Sequence, residues 1–104
     1  MENDKPIKKP AFPTLRCEEM LCEATTYIST DSPIQAKMLL EEFDKMLEII
    51  EGMPKIGTKY KKGMRKVGLG KFRKYNVYYR EKENSIEILG IWHTSRGKEF
   101  EEEP

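Results

Sequence analysis

Hydrophobic and polar positions along the chain fall into two textures, a helical one followed by a strand-like one. In "TLRCEEMLCEATTYI", Cys17, Met20, Leu21, Ala24, Tyr27 and Ile28 recur at helical spacing, with Thr14 placed to cap the start and acidic residues close to it. This predicts an amphipathic first helix. "STDSPIQAKMLLEEFDKMLEIIEGMP" predicts a second, with Ser32 as N-cap, Pro33 at the first helical position, Gln35 completing a capping box, and Gly52 and Pro54 as stop signals. Its apolar stripe is Leu39, Phe43, Met46, Leu47 and Ile50. The short "STDS" connection makes the two an antiparallel hairpin.

Beyond Pro54 the chain turns to glycine and lysine, then to runs rich in aromatic and β-branched residues. "MRKVGL" (Met64 to Leu69), "FRKYNVYYR" (Phe72 to Arg80) and "SIEILGIWH" (Ser85 to His93), separated by "GK" and "EKEN", predict an antiparallel meander. Alternation puts Tyr75, Val77 and Tyr79 on one face of the central strand and Asn76, Tyr78 and Arg80 on the other. One face packs on the helices; the other is mixed and can stay wet. The expected fold is α+β, an antiparallel helical hairpin on a three- to four-stranded antiparallel sheet. A fourth strand would come from segment 1–13, where the three prolines of "PIKKPAFP" suit an edge or irregular stretch. Residues 14–97 form the domain, and 98–104 an acidic tail.

At 104 residues the chain is long enough for one core without a metal or disulfide staple. Neither a membrane span nor a secretory stretch is apparent, so the expected compartment is the cytoplasm. Cys17 and Cys22 are poorly placed for a local disulfide, and a single histidine cannot complete a zinc site with them, so free thiols and no metal or cofactor are expected. The net charge of +1 conceals strong segregation. From Thr14 to Glu51 there are nine acidic residues against three basic; from Gly52 to Arg80 there are ten basic and no acidic. Such a block is either a solvated lysine-rich face or a surface for a negatively charged partner.

Several phrases, in order, resemble the RelE/ParE superfamily of bacterial toxins from type II toxin–antitoxin modules. They are "YI" followed by "SPIQA", then "MPKIG", then "MRKVGLGKFR" with "YYR", and finally "IEILGIWHTSR", together spanning Tyr27 to Arg96. "MPKIG" and "LGIWHTSR" are more similar to the ParE branch than to the RelE branch. Two departures stand out: the proline-rich start, where the family has an edge strand, and acidic helices and tail in a family that tends to be basic.

The resemblance implies a plasmid-stabilisation type of toxin, with a cognate acidic antitoxin that folds on binding as one partner and DNA gyrase as the target. The rival that it implies is a ribosome-dependent, metal-independent mRNA endonuclease. That chemistry needs proton-transfer groups and cations around the sheet. Asn76 stands where many such enzymes have an arginine, and Val67 and Leu69 where they present lysines, so binding rather than catalysis is expected. His93 and Arg96 are the catalytic candidates if the chain is an endonuclease, aided by Lys66, Lys71 or Arg73. Against this, His93 can simply end the last strand with a structural hydrogen bond, while Arg96 ties down the following segment. Lys61, Lys62, Arg65, Lys66, Lys71, Arg73, Tyr78, Arg80 and Trp92 are the candidate binding residues. Interleaved tyrosines and cations resemble a stacking surface, although half-core, half-solvated strands share that composition. Trp92 reads first as a packing residue. A degenerate, non-toxic family member is the remaining alternative.

Overall fold

A computed structural model of the chain describes residues 8–103. The first helix, α1 (Leu15–Ser29), starts where the Thr14 hydroxyl accepts a hydrogen bond from the Cys17 N–H at 3.1 Å. The second, α2 (Pro33–Gly52), starts at Ser32, whose hydroxyl accepts from the Gln35 N–H at 3.2 Å. The expected capping box closes on this side only. Its other arm would need the Ser32 N–H, which already donates to the Ile28 carbonyl at 2.9 Å. Ala36, Leu39, Phe43, Met46 and Ile50 form the buried stripe of α2, and Leu47 at its margin is half-buried.

The sheet has five strands, more than the three or four expected, and it is mixed rather than antiparallel throughout. The strands are β1 (Ala11–Pro13), β2 (Thr58–Tyr60), β3 (Met64–Leu69), β4 (Phe72–Glu81) and β5 (Ile86–His93), in the order β1-β5-β4-β3-β2. β1 runs parallel to β5. Prolines are tolerated in it because of which side each residue faces. The Pro10 carbonyl and the Thr14 N–H bond to β5, so Ala11 and Pro13 face outward, where the missing N–H of Pro13 costs no ladder bond. The outward Ala11 N–H is satisfied by the Glu51 carboxylate of α2 at 2.8 Å, which blunts this edge. Residues 1–7 of the predicted N-terminal segment lie outside the described residues. β2 went unexpected because three residues carry no readable period. It pairs with β3 through a tight turn in which Lys62 (φ 59°) and Gly63 (φ 76°) take left-handed conformations.

The face alternation of β4 is as expected. Val77 and Tyr79 pack with α1 and α2 in the main core, along with Ile86, Ile88 and Ile91 of β5. The Tyr79 hydroxyl, fully buried, donates to the Pro54 carbonyl (2.7 Å) and accepts from the Gly57 N–H (2.9 Å), fixing the α2–β2 connection to the sheet. The opposite face is not wet. Met64, Tyr78, Leu89, Trp92 and Phe100 form a second buried cluster there, with Phe100 brought in by the chain's acidic end. A register shift in the β4–β5 pairing matches Tyr78 with Gly90 but Tyr79 with Ile88, leaving Leu89 as an extra residue on β5. This bulge rephases β5, so that Ile91 points to the helices and Trp92 to the second cluster.

Replacing Tyr79 by Phe should leave the Gly57 N–H without a partner and lower stability by about 1–3 kcal/mol. Urea unfolding checks this, with an unchanged m value expected. A midpoint equal to that of the parent would show that the connection is not held by these bonds.

Candidate functional site

The candidate residues divide between the two faces and one end of the sheet. Lys66, Tyr78, Arg80 and Trp92 lie on the face away from the helices, and Lys61 borders it from the β2–β3 turn. An open cleft of about 340 Å³ on this outer face is lined by Lys66, Asn76, Tyr78, Trp92, Thr94 and Arg96 among others. Arg65 does not join them, since its guanidinium donates to the Gly57 carbonyl at 2.8 Å and braces the same connection as Tyr79. Lys71 and Arg73 are exposed near the β3–β4 turn, and Lys62 is exposed at the β2–β3 turn, where its carbonyl accepts from Arg80 at 3.0 Å.

Residues 98–103 run without regular structure over this outer face. Phe100 is fully buried, its ring stacked on Tyr78 (4.5 Å between centroids), edge-on to Trp92 (5.8 Å) and 5.2 Å from the Arg16 guanidinium. Gly90 forms the floor, since a Cβ there would fall 2.4 Å from the Phe100 ring. Hydrogen bonds to the tail's main chain come from Trp92 Nε1 to the Lys98 carbonyl (3.0 Å), the Tyr60 hydroxyl to the Phe100 carbonyl (2.9 Å), and Arg16 to the Glu101 carbonyl (2.7 Å). Burial lifts the Tyr60 phenol above its ordinary range, keeping it a donor. Lys61 bridges Glu99 (3.0 Å) and Glu101 (2.6 Å), and Arg80 holds Glu102 through two bonds of 2.9 and 2.7 Å.

His93 faces the other way. It lines a cleft of about 430 Å³ beside α1, with Glu23, Tyr27, Tyr75 and Ser95, and its ring meets Tyr75 edge-on at 4.8 Å. The Ser95 N–H donates to His93 Nδ1 at 3.1 Å, and the Ser95 hydroxyl lies 2.6 Å from the same atom. Nδ1 is therefore an acceptor, and the neutral ring carries its proton on Nε2. Arg96 lines both clefts, including the one that holds His93, and stacks over Trp92 at 4.4 Å. Lys66, one of the cations expected to aid His93, lies on the opposite face of the sheet.

Sequence reasoning missed Arg16, Tyr60 and Phe100, the residues that define the covered face. Phe100 had one signal available, a lone aromatic within "KEFEEEP". Cys17 is buried and Cys22 exposed, both free, and burial pushes the Cys17 thiol up to about 12, leaving it inert. Among the described residues no group of side chains is arranged to hold a metal, and no helix is long and apolar enough to cross a membrane.

A family model described as ParE toxin of type II toxin-antitoxin system, parDE, matches residues 14–97. No curated protein sequence matches the chain. Among solved structures, a chain of the chromosomal ParDE TA system from P. aeruginosa is similar, with a TM-score of 0.72 and 16% identity, covering 86% of this chain and 100% of that one. At that identity the likeness concerns the fold.

The tail's carboxylates give its docking a pH dependence of defined sign. Arg80 holds the Glu102 carboxyl below its ordinary range, and Lys61 does the same for Glu101. Groups with a lowered folded pKa contribute stability above their unfolded value of about 4.3, and lose it as pH falls through the folded value. The emission of Trp92, the only tryptophan, should therefore move to longer wavelength as the solution is acidified below about pH 5. Emission that stays constant until the far-UV circular dichroism collapses would show that these pairs do not hold the tail.

Proposed function

The chain belongs to the ParE toxin family of type II toxin–antitoxin systems, and on that premise we propose that it arrests growth by binding DNA gyrase and is neutralised by a cognate acidic antitoxin. It acts by binding, in the cytoplasm, and not by cutting RNA. The observation that supports this choice is that His93 and Lys66, one of the cations that would aid it, lie on opposite faces of the sheet, with Arg96 alone reaching both clefts. His93 has its Nδ1 committed to Ser95 in the cleft beside α1, whereas Lys66 and Asn76 line the outer cleft on the opposite face. A metal-free ribonuclease needs its base, its acid and its cations around one phosphate. The remaining cations suit an acidic partner better. Lys62, Lys66, Lys71 and Arg73 make no ion pair among the described residues and so remain available for long-range attraction.

In a supercoiling assay the protein should trap gyrase with cleaved DNA, and its expression should induce the DNA-damage response. His93→Ala should keep at least about half of that activity, since only local packing is lost. Co-expression of a small acidic protein encoded beside it should restore growth. Codon-positioned cuts in messages on translating ribosomes, abolished by His93→Ala with gyrase unaffected, would instead establish the endonuclease.

A further inference from the structure

We propose that the outer face of the sheet is a docking groove for an extended, acidic segment of a partner protein anchored by one aromatic side chain, and that residues 98–103 are a competitor built into the chain which that segment must displace. The inference rests on the toxin reading only for the identification of that partner with the antitoxin.

The tail itself displays what the groove recognises. Three side-chain donors, on Trp92, Tyr60 and Arg16, read main-chain carbonyls at Lys98, Phe100 and Glu101. A ring-sized slot over Gly90, walled by Tyr78 and Trp92, takes one aromatic group. Lys61 and Arg80 take carboxylates on either side of it. Donors spaced along peptide carbonyls, together with a buried apolar slot, favour a polypeptide over a nucleic acid, whose backbone offers no such carbonyls.

Three features make the tail a displaceable occupant. It lies outside residues 14–97, the stretch that the family model matches. No β-ladder ties it to the sheet, so it can leave without unpairing a strand. The adjoining cleft offers Lys66, Asn76 and Arg96, and Lys66 makes no ion pair with the tail. A longer incoming segment can therefore gain contacts there that the tail does not make. Being tethered, the tail competes at an effective concentration on the order of millimolar, which a partner must overcome with that added surface.

The probe is a fluorescein-labelled peptide with the sequence of residues 97–103, GKEFEEE, titrated against the full chain and followed by anisotropy. The parent should bind it weakly and the Phe100→Ala variant at least about tenfold more tightly, because the competitor has lost its anchor. A second full-length variant, Glu101→Lys with Glu102→Lys, loosens the tail while keeping Phe100 in the chain, and should gain in the same direction. It carries the test if Phe100→Ala does not fold. Adding Lys61→Glu and Arg80→Glu to either should remove binding, as should replacing the peptide's phenylalanine by alanine. Equal affinity for parent and loosened variants, with far-UV circular dichroism retained, overturns the proposal. So does a single-stranded oligonucleotide that binds the opened groove more tightly than the peptide. Neither gyrase nor growth is read in this assay, so failure here and failure of the toxin reading are separate results.

Discussion

The constraint on which the structure turns is that β4 and β5 carry large apolar side chains on both faces. Val77 and Tyr79 need one cover, while Tyr78, Leu89 and Trp92 need another. A sheet with one bare face is stable only if that face is polar. The two helices cover chiefly one side, with only Met20 and Arg16 of α1 reaching the second cluster, and the rest of the described chain is committed to strands and turns. The second layer is supplied by the chain's end. Burying a phenylalanine contributes about 1.5–3 kcal/mol, whereas exposed ion pairs are screened and worth little. Phe100 is thus the anchor, and the glutamates around it set direction and register. The bulge at Leu89 belongs to the same solution, because without it Trp92 would point into the helices and the slot over Gly90 would lose a wall.

What the sequence disclosed follows from how local each signal is. Thr14, Ser32 and Pro33 mark helix starts by chemistry within one turn, and β3, β4 and β5 are long enough to display their period. β1, expected only as a possible edge strand, exists through pairing with the distant β5, and β2 through a turn to the adjacent β3; at three residues each, neither displays a period of its own. The place of the tail was illegible for a different reason. The cationic partners of its glutamates are contributed by α1, the β2–β3 turn and β4, far apart in sequence. Of the site, the outward set Tyr78, Arg80 and Trp92 was partly legible through alternation. Arg16 was not, since it sits on a helix whose visible pattern concerns only the core.

The internal pairing also explains how a chain with a strongly basic middle is nearly neutral overall. Lys61 and Arg80 are already opposed by the tail, and Lys55 by Glu81, so part of the cationic block is spent within the molecule. The lysines and arginine along β3 and the β3–β4 turn that make no ion pair among the described residues are what remains for the acidic partner proposed above. In that proposal steering and anchoring fall to different residues, and salt should weaken the first more than the second.

The most direct measurement of the central claim, that the chain's own end covers the second face, is a set of nuclear Overhauser contacts in the isolated protein. The account requires cross-peaks from the Phe100 ring to the Tyr78 and Trp92 rings, with the Gly90 α-protons shifted upfield by the aromatic ring above them. Random-coil shifts for Phe100 and the fast backbone motion of a free terminus over residues 98–103, in a protein otherwise folded, would contradict it.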